Sequence, residues 1–425
     1  MNILMMTNTY TPFTGGVERS VKSFSEKYRQ AGHTVKIVAP TFEDMPKDEE
    51  NVIRVPAIQN FNGTDFSVTL PIPGLLSREL SGFRPDIVHS HHPYLIGDTA
   101  LRVSAKHNAP LVFTFHTFYE RYTHYVPADS PALREFVKSL STGYANLCDL
   151  VFSPSQSVAR ILKERGVQTD VHVVPTGINI PSYSRGDGMK IRKKHGIPDK
   201  DYVAGWVSRI APEKNVLFLS RSLKTFLSKT PDAHFLVVGS GPSREEMQDV
   251  FRGTGVEDRV HFTGVLKNQN LIDAYHAMDV FAFASHTETQ GIVIEEAMAS
   301  GIPIVAVDAN GIREVVDNEK NGRLIHGDNK ENFCEALSEI HDASKEKRKS
   351  LSQNALTTAE KYSESACSSK ALESYEKLLQ SRSRDKNTEN SLWDEARRML
   401  QGQAKLFENF SRATGAAIHE MVETE

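Results

Sequence analysis

A chain of 425 residues, 39% of them apolar, has enough apolar mass for two or three domains, each with its own core. Its 50 Lys and Arg against 54 Asp and Glu give a net charge of −4, which leaves no overall basic footprint for nucleic acid. Three cysteines, Cys148, Cys334 and Cys367, lack metal-ligand spacing and fit a reducing compartment. No apolar run approaches the ~20 residues of a membrane span. The first residues also lack the basic start and long apolar core of a signal peptide. The expectation is a cytosolic protein, or one attached to a membrane from its cytosolic face.

Ile3-Leu4-Met5-Met6 reads as a buried strand. Gly15-Gly16-Val17 then opens a helix running to about Ala31, with Val17, Val21, Phe24 and Tyr28 on one face. Val35 to Ala39 is the next strand, and this β–loop–α–β start implies a parallel sheet. Gly15 and Gly16 let the backbone approach a ligand closely, or simply supply a tight turn. Two further strands end in histidines: Ile87-Val88-His89 runs into Ser90-His91-His92, and Leu111 to Phe115 runs into His116. With no carboxylate or cysteine to complete a metal set, these read as polar pocket residues.

Phe118, Tyr119, Tyr122 and Tyr125 either line an apolar mouth or pack the domain. The helix from Pro131 to Cys148 carries Leu133, Phe136, Val137, Leu140 and Tyr144 on one face, with Arg134 and Lys138 nearby. That pattern suits a core helix or one lying on an anionic membrane. Val171 to Val174 is the last strand of this half. Lys190, Arg192, Lys193 and Lys194 follow, read as solvated surface with attraction to anionic lipid as the alternative.

Asp199-Lys200-Asp201 sits in a turn and reads as solvated rather than metal-binding. Tyr202 to Val207 restarts a sheet, and the loop leaving it carries Arg209 and Lys214, two cations able to converge on a diphosphate. After the His234–Val238 strand, Gly239-Ser240-Gly241 lacks the third glycine of a dinucleotide fingerprint, since Arg244 stands there; it reads as a tight turn. Val260 to Leu266 is another strand and exit loop, and Leu271 to Met278 a helix.

Val280 to Ala284 is a buried strand that runs into Ser285-His286-Thr287-Glu288-Thr289-Gln290-Gly291. From Gly291 the spacing becomes helical, until Gly301-Ile302-Pro303 stops it and Ile304 to Val307 begins the next strand. The loop opens at the carboxyl edge of a sheet, where α/β folds bind ligands. Glu288 stands before the helix and Glu296 inside it. The helix N-terminus between them offers N–H groups to an anion. Carboxylates for hydroxyls and a helix end for phosphate point to a ligand that is both sugar and phosphate. Ala309 to Val316 reads as a helix start, and helical pattern dominates from Lys330 to Leu379. Ser381 to Asn387 is a polar hinge. From Ser391 a helical pattern places Leu392, Ala396, Met399, Leu400, Phe407 and Phe410 roughly on one side. Docking on the body, self-association and membrane contact are all open for this tail.

Glu288-x7-Glu296, with Gly291 three residues after the first Glu and Ala297 after the second, resembles the signature of retaining glycosyltransferases of family 4, which have the GT-B fold. The likeness spans residues 1 to about 380 and not the tail. It implies an α/β protein of two Rossmann-like parallel-sheet domains facing across a cleft. Residues 1–180 would form the acceptor side and 181–362 the nucleotide-sugar side. Residues 363–380 would be a helix packing back on the first domain, and 381–425 a helical tail.

The same resemblance implies roles. Glu288 binds donor-sugar hydroxyls and Glu296 the ribose, with Gln290, Gly291 and Ile292 in the same donor loop. Arg209 and Lys214 hold the phosphates, and Gly264, Val265 and Leu266 lie against the base. Gly15 and Gly16 serve the phosphates and acceptor, and His116 contacts the donor sugar. The segment from His116 to Pro127 resembles the acceptor-side loop of members that glucosylate diacylglycerol, and phosphatidylinositol mannosyltransferases less closely.

The implied activity is retaining, metal-independent transfer of a hexose, from UDP-glucose, to a lipid such as diacylglycerol. Without a metal or other cofactor, phosphate charge falls to Arg209, Lys214 and helix N–H groups. Peripheral contact with an anionic membrane surface follows as an expectation, and no nucleic-acid partner does. The alternatives are a soluble or polyprenyl-linked sugar acceptor, GDP-mannose-dependent mannosyl transfer included, or a catalytically idle binding module. The base, the sugar's configuration and the oligomeric state stay open.

Overall fold

In the computed structural model, which describes residues 1–12, 15–46, 49–58, 68–69, 75–123, 129–384 and 392–423, the apolar runs become parallel strands buried on both faces. Of the residues and segments singled out above, His124, Tyr125, Val126, Pro127, Asp385, Lys386, Asn387 and Ser391 lie outside the described ones. The chain divides into two compact units, residues 1–177 with 367–425, and residues 178–366.

The first unit holds β1 (Asn2–Met6), β2 (Thr34–Pro40) and β3 (Val52–Val55), a short antiparallel pair β4 (Ala57–Ile58) and β5 (Val68–Thr69), then β6 (Ile87–Ser90), β7 (Leu111–Thr114), β8 (Leu150–Ser153) and β9 (Val171–Val173). Its seven-stranded sheet runs β3-β2-β1-β6-β7-β8-β9, with every pairing parallel. Side chains alternate along each strand: Leu4 and Met6 enter one core, Ile3 and Met5 the other. A sheet covered on both faces needs apolar residues at every position, which explains runs in place of polar alternation.

The second unit repeats the plan with β10 (Tyr202–Val207), β11 (Ala233–Val238), β12 (Val260–Gly264), β13 (Val280–Phe283), β14 (Ile304–Val307) and β15 (Gly322–Ile325). The order is β12-β11-β10-β13-β14-β15, again parallel. Both domains are therefore Rossmann-like, as expected. Ala309 to Val316 differs from expectation and folds as turns. Gly311 takes φ +75, outside helical space, and three-residue bonds such as Val315 N–H to the Ile312 carbonyl are mixed with isolated four-residue ones such as Arg313 N–H to the Ala309 carbonyl, so no continuous helix forms.

The helix Glu364–Arg384 packs on the first sheet through Cys367, Ala371 and Tyr375, all fully buried with Ile3, Met5 and Phe24. Tyr375 stacks on Phe152, and its hydroxyl is hydrogen-bonded to His89 Nδ1 at 2.6 Å.

The tail becomes one helix, Leu392–Glu423, docked on the helices Pro131–Leu147 and Ile96–His107. Docking was one of three fates the sequence left open. Phe410 sets its ring edge-on to Phe136, Asn409 Nδ2 donates to the Leu140 carbonyl at 3.1 Å, and Arg398 Nε donates to the Ala105 carbonyl. The apolar stripe of the Pro131 helix is thus covered by the chain itself. Leu400, Phe407, Ile418 and Val422 point away from that seam and are 57–73% exposed. No described helix is long and apolar enough to cross a membrane.

Close approach at the seam depends on Gly143, because a Cβ there would lie 1.7 Å from Asn409 Oδ1. Leu favours a helix over Gly by about 0.8 kcal/mol, so Gly143→Leu leaves its own helix intact while displacing the tail. Limited proteolysis of this variant should cut within residues 392–423 at least about tenfold faster than in the wild type, as expected for a segment whose packing is lost. A tail equally protected in both proteins would contradict the docking.

Candidate functional site

Open parallel sheets bind ligands where the strand order reverses, outside the carboxyl ends of the two central strands. In the second unit that point lies between β10 and β13, which pair directly. Their exit loops therefore emerge side by side. Lys214 ends a single 3-10 turn, Pro212–Lys214, after β10, and Glu288 sits in the loop after β13. Lys214 Nζ donates to Glu288 Oε1 at 2.6 Å, with both side chains only 14–16% exposed.

The two loops are also joined by hydroxyl-to-carbonyl bonds. Ser285 Oγ and Thr287 Oγ1 both donate to the Glu213 carbonyl. Asn215 takes the left-handed conformation that asparagine tolerates, and its Nδ2 donates to Asp328, which also bonds His286 Nε2 at 2.9 Å. Arg209 is exposed one residue beyond Ser208. Its segment is gripped by the Gly239-Ser240-Gly241 turn: Ile210 N–H donates to the Ser240 carbonyl, and the Ile210 carbonyl accepts from Ser243 N–H just after the turn. A Cβ on Gly239 or Gly241 would lie 1.9 Å from the Ser208 carbonyl oxygen or 2.2 Å from that of Ile210. These glycines allow that close backbone approach, where the sequence suggested only a tight turn.

Gly291 opens the helix Ile292–Ala299 at φ +86, where a side chain would be strained. Glu296 is buried in that helix. Tyr183 Oη donates to its Oε1 at 2.5 Å and Tyr275 Oη to its Oε2 at 2.8 Å. Gln290 is buried too, and its Nε2 donates to both oxygens of Glu295 at 3.1 and 2.8 Å. Burial pushes the Glu295 carboxyl well above the usual range, against the opposing pull of the Gln290 amide. Gln290 thus turns its side chain inward. Ile292 and Leu266 are partly buried against the core, while Gly264 turns at φ +75 and Val265 is exposed.

Sequence reasoning missed Tyr183, Tyr275, Asn215, His286 and Asp328. The tyrosines lie 113 and 21 residues before Glu296, and no local spacing marks either. The basic run after residue 189 also resolves: Arg192 is buried on the Asp279 carboxylate and the Asp201 carbonyl, and Lys190 bonds Asp273, leaving Lys193 and Lys194 exposed. Asp201 is more than a solvated turn residue, since it pairs with His234 Nε2 at 3.0 Å.

In the first unit the order reverses between β1 and β6. Gly15 caps the helix Gly16–Gln30 in extended backbone, φ −165, so the turn explanation does not require glycine there. His92 Nδ1 accepts the Asn8 backbone N–H at 3.1 Å, and His89 Nε2 meets Thr114 Oγ1 at 2.7 Å. His91 Nδ1 and His116 Nε2 lie 2.9 Å apart, their rings nearly parallel. Burial lowers His89 and His92 to about 3 and holds His91 and His116 well below the usual histidine range, with neighbouring histidines adding to the effect for the latter two. All four are neutral near pH 7. Phe118 is buried against Phe115, with the Arg121 and Arg165 guanidinium groups over its ring, and Tyr119 packs edge-on to Tyr94, so both pack the domain. Among the described residues no group of three or more His, Cys, Asp or Glu is arranged to hold a metal ion.

Two family profiles match the chain: "Glycosyltransferase Family 4" over residues 14–181 and "Glycosyl transferases group 1" over residues 188–358. An alpha-monoglucosyldiacylglycerol synthase of Streptococcus pneumoniae is 28% identical over 341 residues, 77% of this chain and 76% of that protein. A GDP-mannose-dependent alpha-mannosyltransferase of Mycolicibacterium smegmatis is 30% identical over 341 residues, 77% of this chain and 85% of that protein. Among solved structures, Anabaena Alr3699/HepE in complex with UDP-glucose superposes with a TM-score of 0.67 at 22% identity, covering 89% of this chain and all of that one. That likeness shows the GT-B fold.

The buried neutral histidines set a pH response. Their folded-state proton affinity is depressed, so the unfolded chain binds more protons below its own histidine pKa of about 6.5. The stability they permit is complete above that value and declines as pH falls. Thermal unfolding of the full chain should shift steadily downward from pH 6.5 to 5, above the carboxylate range. A constant midpoint across that window would contradict the buried neutral assignment.

Proposed function

The chain belongs to glycosyltransferase family 4, and on that premise we propose that it moves glucose from UDP-glucose to the hydroxyl of a lipid such as diacylglycerol, with retention and without a metal. That it is a nucleotide-sugar glycosyltransferase follows from the family; the donor, acceptor and stereochemistry are the proposal. The single observation that carries it is the Lys214–Glu288 pair at the reversal point of the second sheet. A partly buried ion pair gains little net stability, since desolvation offsets its attraction. The pair does, however, store a cation and an acceptor ready for exchange.

When the donor enters, a phosphate oxygen replaces Glu288 beside Lys214, and Glu288 turns to the sugar hydroxyls. Neither charge is left unpaired. Arg209 adds a second cation to the diphosphate, and Glu296, oriented by Tyr183 and Tyr275, accepts the ribose hydroxyls. The bond from the anomeric carbon to the diphosphate oxygen breaks, and the lipid oxygen bonds on the face the leaving group vacates. The hydroxyl proton passes to the departing phosphate. Fixed positive charge where negative charge develops supplies the main electrostatic term. Gly15, Gly16 and His116 are carried over from the family as contacts of the phosphates, acceptor and sugar, and Gly264 to Leu266 as contacts of the base.

The lipid acceptor is supported by the name of the pneumococcal relative. The mycobacterial relative supports a second reading, GDP-mannose and a mannosyl product. A membrane surface belongs to the first reading, and the outward side chains Leu400, Phe407, Ile418 and Val422 supply apolar contact for it.

With UDP-glucose and diacylglycerol in detergent, the protein should release UDP and form glucosyl lipid equally well in excess EDTA. Glu288→Gln should lower the rate by at least about a hundredfold, the scale of a lost transition-state contact, while UDP affinity stays within about twofold. Full activity in Glu288→Gln, or transfer only from GDP-mannose, would overturn the assignment. On zwitterionic vesicles the full chain should co-float, and Leu400→Asp with Phe407→Asp should abolish flotation. Flotation unchanged by the double substitution would contradict that contact.

A further inference from the structure

The histidine pair of the first unit specifies more than neutrality. His91 is fully buried, its Nδ1 lies 2.9 Å from His116 Nε2, and its Nε2 meets no hydrogen-bond partner among the described residues. Exactly one proton can sit in the Nδ1···Nε2 contact of two neutral rings, so two arrangements exist. If His116 donates, His91 must carry its own proton on the buried, partnerless Nε2. If His91 donates, that nitrogen is only a bare lone pair. Orphaned buried N–H groups are rarer and costlier than unsatisfied acceptors, so the second arrangement wins.

We propose that His91 is a positioning residue for His116: its Nδ1–H donates to His116 Nε2, leaving the proton of His116 on Nδ1. This rests on the reading of His116 as a sugar contact only for its functional consequence, not for the tautomer itself. The Nε2 lone pair of His116 is then spent on His91, so His116 acts through an Nδ1–H donor and not as an Nε2 base. The surroundings hold this state. His89 lies beside His91 with ring centroids 4.2 Å apart, and it is itself fixed by Tyr375 Oη on one nitrogen and Thr114 on the other. His92 is fixed by the Asn8 N–H. His89, His92, Tyr375 and His116 are titratable members of this cluster.

The direct test is nitrogen NMR of the full chain labelled with 15N-histidine at pH 7.5, with the ring signals of His116 assigned by their loss in His116→Gln. The expected result is a proton on Nδ1 of His116; a proton on Nε2 overturns the proposal, whatever the transfer assay shows. A paired kinetic test separates positioning from packing. His91→Asn keeps an N–H donor near the Nδ1 position, whereas His91→Phe keeps the ring but no donor. In the assay of the proposed transfer, His91→Asn should hold kcat within about threefold. His91→Phe should lose about tenfold or more with KM for the donor unchanged, the pattern of a group that orients an active-site histidine. Equal kcat in both folded variants overturns the positioning role. Loss of all transfer in the wild type, with the Nδ1 tautomer intact, counts against the sugar reading alone.

Discussion

Lys214 and Glu288 meet because β10 and β13 are neighbours in space though some seventy residues apart in sequence, a separation of 74 between the paired side chains. The strand order places two exit loops side by side, so charges that meet across them at this distance have to be opposite in sign. Two like charges at 2.6 Å and this burial would not be tolerated. The pair is therefore a constraint as well as a device. It fixes the cation loop against the carboxylate loop, with Asn215, His286 and Asp328 as a second fastening between the same segments. The Gly239–Gly241 turn presses the Arg209 segment from the other side.

Much of this was legible from residues alone. Parallel strands announce themselves as short apolar runs bounded by Gly and Pro, and the change from strand to helical spacing at Gly291 was visible in the residues, though the φ of +86 that suits glycine there was not. The acidic pair and the basic loop could be named from their positions at strand ends. The partners were not legible. Tyr183 and Tyr275 reach Glu296 from distant helices, and Gln290 turns toward Glu295, an adjacent acid that the sequence pattern gave no reason to separate from Glu296. Such contacts depend on tertiary packing, which local spacing does not encode. The helix expected after Ala309 failed for a local reason instead, the positive φ of Gly311.

The first unit shows the same strand-end logic with different chemistry. Its loops carry neutral histidines buried behind a tyrosine from the helix Glu364–Arg384, so a segment near the end of the chain completes the packing of the first sheet. The tail adds a cover over the Pro131–Leu147 and Ile96–His107 helices through Gly402, Leu406, Asn409, Phe410 and Ala413, while Leu400, Phe407, Ile418 and Val422 face outward. A helix that served docking alone would not also hold four large apolar side chains in solvent.

The central claim is that the loops after β10 and β13 hold the donor. A crystal structure of the full chain with intact UDP-glucose tests it most directly. The account predicts the diphosphate within hydrogen-bond distance of Lys214 and Arg209, the Lys214–Glu288 contact opened, and the glucose hydroxyls on Glu288. Nucleotide bound away from these loops, or bound there with the ion pair still closed, would contradict it.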